Sequence, residues 1–406
     1  MSAAADAAEL VLFSPLPPNP SGVAAYTAEL LSELGRMRRC AVVVATEADA
    51  AAAPAGIGAE VISERAYLAR PALHGQPHLH QLGNSLDHAH VLRAALRRPG
   101  VVALHDVVLH HLVEALTLGR GSPHGYEAAL AREHGPAGRR LARLRRLGLF
   151  APMQRFLMPL HGGVLERSRG VIVHSRFAAA RLQAPPGLPV RVVPHHLSPA
   201  VFAFDGLDRA AARARLGLPP GARVLLVLGH VTPPKGAGVV LAALARLRAE
   251  GLDAMLVIGG AVEAGLPIAA QAEGLGLLDR VRLTGWLPEE AFFLHLRAAD
   301  LLLALRFPVA GESSGTLARA LGMGTPALAY DFGPAAEYPD SILAKLAFAP
   351  GPMGQAAMRI AARIAALLAD PAALAARGEA ARRWMREHCA LTASASAYRD
   401  CLAAWT

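Results

Sequence analysis

The 406-residue sequence has few cysteines, few aromatic side chains and almost no lysine. Its three cysteines, Cys40, Cys389 and Cys401, lie far apart and form no CxxC pair, so a disulfide framework is excluded and a reducing compartment is favoured. The opening MSAAADAAEL has neither a basic n-region nor a long apolar core, and it predicts no signal peptide. No run of about 18 uncharged apolar residues predicts a membrane span. These absences together predict a cytoplasmic protein.

Positive charge is in excess, with a formal net charge of +9. Such a balance favours anionic partners, namely nucleic acid, phosphorylated ligands or a lipid surface. The arginines are spread along the chain, and aromatic residues, only 5% of the total, rarely interleave with them. This distribution argues against nucleic-acid binding, and we expect none.

Apolar residues make up 53% of the chain, which is enough to fill the cores of two domains. Short apolar runs alternate with longer amphipathic stretches, a pattern typical of parallel sheets in an α/β fold. The runs predicted as strands are ELVLFSP, CAVVVAT, GVVALHD, GVIVHS and VRVVPHH in the first half, and ARVLLVLGH, AMLVIGG, RVRLTGW, DLLLALRFP and TPALAYD in the second. The sequence therefore predicts two Rossmann-like domains facing a cleft.

The alternation pauses between about 196 and 221, and a fresh strand then begins, which marks a domain boundary. We predict an N-terminal Rossmann-like domain at 1–200, with a helical insertion at about 118–162, and a C-terminal Rossmann-like domain at 201–380. The C-terminal helices are expected to pack across both domains, with 381–406 returning to the first.

Within the insertion, RRLARLRRLGLF predicts a basic amphipathic helix between Arg139 and Arg146. Leu141, Leu144 and Leu147 fall on one side of this helix and arginines on another. One interpretation is a surface helix packed on the domain. The other is a peripheral contact with anionic lipid at the inner face of the membrane, or with an anionic acceptor.

The loop GHVTPPKGAG follows a predicted strand and precedes a predicted helix, which is where ligands bind in doubly wound folds. It holds Lys235, and the only other lysine of the chain is Lys345. A flexible ammonium beside the N–H groups of a helix start is a good phosphate binder, although the GxxxxGK[ST] spacing of a P-loop is absent. The alternative is a solvated loop lysine.

The stretch VAGESSGTLARALGMGTP follows another predicted strand, which ends at Arg306. Small residues with free N–H groups at a helix start form an anion cradle, and a carboxylate beside them accepts hydrogen bonds from sugar hydroxyls. The residues of this stretch are Glu312, Ser313, Ser314, Gly315 and Thr316, with Arg319 on the helix that follows. The alternative is an ordinary capped helix, and both interpretations can hold at once.

Two loops of the first half also end strands. Gly22 follows three prolines in LPPNPSG and opens a helix, so its backbone is accessible to an anion, although an ordinary strand–helix turn is the alternative. His105 and Asp106 end GVVALHD, where a histidine is able to donate to a ligand or take up a proton near neutral pH. The histidines of HGQPHLHQLGNSLDHAH show no HExxH motif and no clear carboxylate partner, so we assign no metal site.

These stretches together resemble the GT-B glycosyltransferases, specifically the retaining glycosyltransferase family 4, also described as glycosyl transferases group 1, of bacterial cell-surface polysaccharide assembly. The stretches that carry the resemblance are PLPPNPSGVAAYTAELLSEL, HQLGNSLDHAHVLRAALRRPGVVALHDVVLHHL, GVIVHSRFAAARL, LGHVTPPKG and RVRLTGWLPEEAFFLHLRAADLLLALRFPVAGESSGTLARALGMGTP. The last of them is the most specific, and the resemblance spans nearly the whole chain.

The resemblance implies transfer of a sugar, with retention, from a UDP- or GDP-sugar bound mainly to the C-terminal domain. The acceptor, a glycan or a lipid-linked glycan, would bind mainly to the N-terminal domain. The family uses no cofactor beyond the donor and usually no metal.

The resemblance also assigns roles to the residues singled out above. His105, Asp106 and Glu312 are assigned to catalysis. The residues assigned to the donor and its phosphates are Gly22, His230, Lys235, Arg306, Ser313, Ser314, Gly315, Thr316 and Arg319.

Three departures from the family pattern leave a second interpretation open. His230 stands where the family usually has arginine, and Gly311 and Arg319 align with its usual pair of glutamates. The alternative is therefore a GT-B-like protein that binds a nucleotide or a partner without catalysing transfer. A nicotinamide oxidoreductase is discounted because no convincing GxGxxG follows a strand.

Overall fold

The structure is a computed structural model that describes residues 8–406, and the chain divides into two compact units. The first unit comprises the described residues up to His195 together with Ala310–Ser313 and Leu391–Thr406, and the second comprises His196–Val309 and Ser314–Ala390. Most of the MSAAADAAEL stretch, on which the signal-peptide prediction depends, lies outside the described residues. Among residues 8–406, no helix combines the length and apolar character that crossing a membrane requires.

The first unit is built on a seven-stranded sheet with the order β3-β2-β1-β4-β5-β6-β7, in which every pairing is parallel. Its strands are β1 Leu10–Phe13, β2 Cys40–Val44, β3 Ala59–Ser63, β4 His78–Leu82, β5 Val101–Leu104, β6 Gly170–Val173 and β7 Val190–Val192. Its helices are α1 Gly22–Met37, α2 Glu47–Ala52, α3 Glu64–Leu68, α4 Ala89–Arg97, α5 His110–Thr117, α6 Pro123–Arg146, α7 Gln154–Leu157, α8 Gly162–Leu165, α9 Arg176–Ala180 and, from the end of the chain, α17 Leu391–Trp405.

The second unit is built on a six-stranded parallel sheet with the order β10-β9-β8-β11-β12-β13. Its strands are β8 Arg223–Leu228, β9 Ala254–Gly259, β10 Val281–Gly285, β11 Leu301–Ala304, β12 Ala327–Tyr330 and β13 Ala344–Leu346. Its helices are α10 Arg209–Arg215, α11 Ala237–Ala249, α12 Ile268–Gly274, α13 Glu289–Ala298, α14 Gly315–Met323, α15 Met353–Leu368 and α16 Pro371–His388.

Each sheet is covered on both faces, which explains why its central strands are continuous apolar runs. In the first unit, Val11 and Phe13 of β1 contact one core while Leu10 and Leu12 contact another. In the second, β8 alternates in the same way, with Leu225 in one core and its neighbours in the other. The predicted α/β class with two Rossmann-like halves is therefore confirmed.

All ten predicted strands are present, and three further strands, β3, β4 and β13, were not predicted from the sequence. Strand β4 has the sequence HLHQL, and its polar residues conceal it from a search for apolar runs. His78 and His80 in β4 are nevertheless buried, and their imidazoles bond to Tyr67 Oη (2.8 Å) and the Arg98 main-chain oxygen (2.9 Å) respectively.

The short segment Ala310–Ser313 lies in the first unit, although the chain on both sides of it lies in the second. Its attachment is made by hydrogen bonds, because the N–H groups of Val107 and Val108 donate to Ala310 O at 2.8 and 3.0 Å. Gly311 has φ of 91°, and a Cβ there would lie 2.3 Å from Val107 Cγ2, so only glycine fits.

Candidate functional site

The chain order reverses between β8 and β11 of the second sheet, and ligands of open α/β sheets bind beyond the carboxyl ends of strands at such a switch point. The loops that follow these two strands are the ones singled out in the sequence. They contact each other through a main-chain hydrogen bond of 2.8 Å from Phe307 N to Pro234 O. A side chain from either loop is therefore placed at the same end of the sheet.

Lys235 ends a 3-10 turn, Pro233–Lys235, and Gly236 then adopts φ of 70° before α11 begins at Ala237. The lysine thus precedes the helix rather than opening it. Its Nζ donates to the main-chain oxygen of Leu228, the last residue of β8. The ammonium is therefore held over the end of the strand.

Gly229 marks the point where three groups converge. Its φ is 89°, and a Cβ at this position would lie 2.7 Å from Lys235 Nζ and 3.2 Å from Thr316 Oγ1. The ammonium of Lys235 and the hydroxyl of Thr316 are consequently close to each other and to the main chain of Gly229. A cation, a hydroxyl and accessible main chain are the groups that recognise phosphate oxygens.

Helix α14 begins beside them. Ser314 is its N-cap, and its Oγ accepts from Leu317 N at 3.2 Å. The N–H groups of Gly315 and Thr316, at the first two helical positions, have no partner within the helix itself, and the helix dipole favours an anion there. The two interpretations of this stretch are thus compatible, since the cap occupies one N–H group and leaves the anion cradle in place.

The remaining donor-side predictions in the second unit are a histidine and two arginines. His230 is exposed in the loop after β8, Arg306 is half-buried after β11, and Arg319 is half-buried on α14. All three lie on the loops or the helix that carry Lys235 and Thr316.

In the first unit, His105 follows β5 and is buried against aromatic rings. Its Nε2 donates to Gln81 Oε1 at 2.7 Å, and its ring lies 4.8 Å from Tyr26 and 4.7 Å from His174, between centroids. His195 completes the cluster, 5.0 Å from Tyr26.

Asp106, Glu312 and Ser313 lie near the same strand ends of the first unit. Asp106 Oδ2 accepts from Asn84 N at 2.9 Å, which orders the loop after β4. Glu312 Oε2 accepts from Ala310 N at 2.6 Å, and Ser313 Oγ donates to His174 O at 3.3 Å. The structure thus places Glu312 and Ser313 with the histidine cluster of the first unit, and Ser314 onward with Lys235 in the second.

Gly22 occupies the first position of α1, whose N-cap Ser21 accepts from Val23 N at 3.2 Å. The glycine is exposed, and a Cβ there would meet nothing within 4 Å among the described residues. Protein packing therefore does not require glycine at this position. A ligand approaching the helix N-terminus would give it a function.

Three residues of the histidine cluster, Tyr26, Gln81 and His195, were not predicted from the sequence. Burial and the proximity of Tyr398 and Glu29 raise the pKa of Tyr26 well above its usual value, so it stays a neutral hydrogen-bonding group. Its hydroxyl donates to Tyr398 Oη at 3.2 Å. A histidine at the end of each of β5, β6 and β7 was the available signal, visible in LHD, VHS and PHH.

Among residues 8–406, no group of three or more His, Cys, Asp or Glu side chains is arranged to hold a metal ion.

Comparison with known proteins supports the same reading of the second unit. Residues 208–384 match the family described as Glycosyl transferases group 1. The 2-deoxystreptamine glucosyltransferase of Streptomyces kanamyceticus is 32% identical over 154 residues. That match spans 38% of this chain and 38% of the Streptomyces enzyme.

Two solved structures are similar over nearly the whole chain. HepE from Anabaena, crystallised with UDP and glucose, has a TM-score of 0.65 at 17% identity, covering 98% of this chain and 100% of that one. Sucrose-phosphate synthase from Thermosynechococcus elongatus has a TM-score of 0.70 at 17% identity, with the same coverage. Residues 208–384 therefore resemble the glycosyl transferases group 1 family, in a chain with the fold of the GT-B glycosyltransferases.

Proposed function

We propose that this chain is a glycosyltransferase that uses a nucleoside-diphosphate sugar as its donor. The observation that carries the proposal is the convergence of Lys235, Thr316 and the N-terminus of α14 at the switch point of the second sheet. These groups match the chemistry of a diphosphate, and they lie inside the segment that resembles the glycosyl transferases group 1 family.

Lys235 has the principal electrostatic role in this proposal. Negative charge develops on the diphosphate as the sugar leaves, and a fixed cation together with helix N–H groups stabilises that charge without a metal. Arg306 and Arg319 add positive potential in the same unit, and His230 adds an imidazole. Neighbouring structures crystallised with UDP support a uridine nucleotide as the first donor to test, with a guanosine nucleotide as the second.

We also propose catalytic roles for three residues of the first unit. His105 is held by Gln81, and Asp106 and Glu312 supply carboxylates near the same strand ends. We further propose a retaining hexosyl transfer of the family 4 type to a glycan or lipid-linked acceptor in cell-surface polysaccharide assembly. Gly22 and Ser313 are proposed as donor-binding residues.

A second candidate function is binding of a nucleotide or partner without transfer. It is favoured by His230 and Arg319, which replace an arginine and a glutamate usual in the family. Turnover of a donor distinguishes the two functions.

The decisive experiment is titration calorimetry of the purified chain with UDP, GDP and ADP, repeated with Lys235→Ala. We expect one nucleotide to bind, and the variant to lose a charge-assisted contact of about 1.5–3 kcal/mol, which corresponds to a loss of roughly tenfold or more in affinity. Lys345→Ala is the matched control, because it removes the same charge from the same unit, at a site where Lys345 pairs with Asp340.

Hydrolysis or transfer from UDP- and GDP-sugars is then measured with the nucleotide that binds. Nucleotide binding without any turnover, across a panel of sugars and acceptors, would move the assignment to the non-catalytic candidate. Equal affinity of Lys235→Ala and the unaltered chain would exclude the phosphate role of Lys235.

A further inference from the structure

The first unit contains a second basic cavity, at the opposite edge of its sheet from His105. It has a volume of about 260 Å³. Its lining includes His74, His78, Arg97, Arg98, Arg169 and Thr406. His78 opens β4, while Arg98 and Arg169 directly precede the strands β5 and β6, so the cavity lies at the amino ends of three neighbouring strands.

Positive charge is in excess in this cavity. Three guanidinium groups line it, and among the described residues no Asp or Glu forms an ion pair with Arg97, Arg98 or Arg169. The acidic group in the lining is the main-chain carboxyl of Thr406, the last residue of the sequence. Elsewhere in the first unit, exposed arginines form ion pairs with acidic side chains, as Arg70 does with Glu60 at 2.5 Å. Arg169 Nη1 donates to the main-chain oxygen of Thr406 at 3.4 Å.

The lining is also held in place. Arg98 is half-buried, its Nη2 donates to His74 Nδ1 at 3.3 Å, and its main-chain oxygen accepts from His80 Nε2 at 2.9 Å. A Cβ at Gly100 would lie 2.4 Å from His78 O, so the two strand ends approach each other as closely as glycine allows. Arg97 and Arg169 are exposed and leave the cavity open to solvent.

The local potential supports the same conclusion. Burial and, after it, the positive charges of Arg98 and Arg169 contribute to lowering the pKa of His78 to about 4. His78 is therefore neutral at physiological pH and is bonded to Tyr67 Oη, so the cationic groups of the site are the arginines.

We propose that this cavity is a binding site for a small phosphate-bearing anion, separate from the donor site of the second unit. Guanidinium groups recognise phosphate oxygens through paired N–H donors. The volume lies below the roughly 300–1,000 Å³ of sites for drug-sized ligands, which favours phosphate, pyrophosphate or a single phosphorylated headgroup over a whole nucleotide sugar.

The test is calorimetric titration with inorganic phosphate and with pyrophosphate. It is done in the Lys235→Ala background, so that the site proposed for the donor does not contribute. Saturable binding with a stoichiometry of one is expected, weakened at least tenfold by R97Q/R169Q. The double variant R65Q/R167Q is the control, because both of its arginines are exposed in the same unit outside the cavity.

A second measurement follows the His78 imidazole by NMR while pyrophosphate is added. A bound anion offsets the arginine charges, so the pKa of His78 should rise, and the rise should be absent in R97Q/R169Q. To identify a lipid source of the phosphate, both double variants are sedimented with phosphatidylglycerol vesicles. Vesicle binding weakened in R97Q/R169Q but not in R65Q/R167Q, without binding of soluble anions, would place the site at a headgroup.

Two outcomes would overturn the proposal. One is the absence of saturable binding of phosphate, pyrophosphate and vesicles. The other is binding that R97Q/R169Q leaves unchanged. Neither outcome bears on the proposed transferase function, because that function depends on residues of the other site.

Discussion

Gly229 shows how a single residue without a side chain sets the position of a charged one. Glycine is required here for two reasons. The backbone is left-handed, with φ of 89°, and the ammonium of Lys235 occupies the space that a Cβ would fill. These two requirements are separable, because other glycines of the second unit meet only the first. Gly251 has φ of 82° and no described atom within 4 Å of a Cβ.

We predict that Gly229→Ala weakens nucleotide binding while Gly251→Ala does not. Both variants should lower the free energy of unfolding by about 1 kcal/mol, because alanine is strained at positive φ. Only at Gly229 would the new methyl group displace Lys235 Nζ. Calorimetry with the nucleotide that binds, alongside urea denaturation of both variants, makes the comparison; equal affinities in the two variants would contradict the assigned geometry.

At this scale the sequence was informative for residues that stand directly after strands. Lys235, Thr316 and His105 were identified because an apolar run ends just before each loop, and a sheet gathers such loops at one edge. The hydrogen bond that turns Lys235 toward Leu228 and the contact between His105 and Gln81 depend on tertiary packing. No local pattern encodes them.

At the scale of elements, three helices of the first unit meet at one carboxylate. Glu114 of α5 accepts from Arg145 of α6, and from Arg155 of α7 at 2.6 and 3.0 Å. Burial raises the pKa of Glu114, but the hydrogen bonds from Arg155 and Arg145 outweigh it and bring the pKa to about 2. The carboxylate therefore joins segments that have little apolar core of their own.

We predict that Glu114→Gln lowers the free energy of unfolding by about 2 kcal/mol, between the values for exposed and for fully buried ion pairs. The pair contributes fully above the usual carboxyl pKa, and its contribution is lost as pH falls toward about 2. Thermal denaturation at pH 7 and pH 3 measures both effects. Glu127→Gln is the control, since Glu127 lies 3.7 Å from Arg146 in a more exposed pair and should cost below about 1 kcal/mol.

Helix α6 ends at Arg146, the residue at which the predicted basic helix also ends. Leu141 is buried, but Leu147 lies beyond the helix, and Leu147 and Leu149 are each 63% exposed. Leu157 of α7 is 71% exposed. Basic and apolar groups are thus exposed together over a short stretch of chain, which favours the membrane interpretation of this segment.

We predict that the chain sediments with phosphatidylglycerol vesicles but not with phosphatidylcholine vesicles. The variant R139Q/R140Q/R143Q should weaken this binding about a hundredfold, at about 1 kcal/mol for each basic residue near an anionic surface. R65Q/R167Q/R215Q removes three exposed arginines elsewhere and should have little effect. A similar loss in both triple variants would instead indicate attraction by net charge.

Elements were predicted well where burial on both faces produces an apolar run, and poorly where it does not. Strand β4 carries two buried histidines and β13 is only three residues long, so neither resembles a central strand. The kink of α6 was not predicted from the sequence. It lies at Gly135 and Pro136, and Gly135 has φ of 54°.

At the scale of the whole molecule, neutral buried histidines are concentrated in the first unit. Burial is the largest cause in each case, and it lowers the pKa to about 4 for His78, His88 and His111 and to about 3 for His80. In the second unit, a lowered histidine pKa is found among the described residues at His295. The two units should therefore respond differently to acid.

We predict that the first unit loses stability as pH falls from about 6.5 toward 4, before the second does. In this pH range the histidines are protonated in the unfolded chain but stay neutral in the folded one. The free energy of unfolding therefore falls by about 1.4 kcal/mol per pH unit for each histidine, or roughly 5 kcal/mol per pH unit for four. Hydrogen exchange in β5 and β9 at pH 7.5 and 5.5, corrected for the intrinsic rate, measures the difference. His124→Gln, an exposed site, is the control; equal loss of protection in both strands would contradict the prediction.

The two-unit α/β organisation was accessible from sequence because alternating strands and helices determine the sheet class. The assignment of Ala310–Ser313 to the first unit was not, since that assignment depends on hydrogen bonds to Val107, Val108 and His174 that are remote in sequence. Sequence proximity alone would assign the whole stretch to the second unit.

This short crossing has a practical consequence for anyone who wishes to study the second unit alone. In a fragment such as 208–384, the segment Ala310–Ser313 would lack its hydrogen-bond partners in the first unit. The carbonyl of Ala310 and the hydroxyl of Ser313 would then be exposed to water. Glu312 would then be free to reach groups that it does not contact in the intact chain. Nucleotide affinities measured on such a fragment would describe an altered loop, and only the full chain reports the native one.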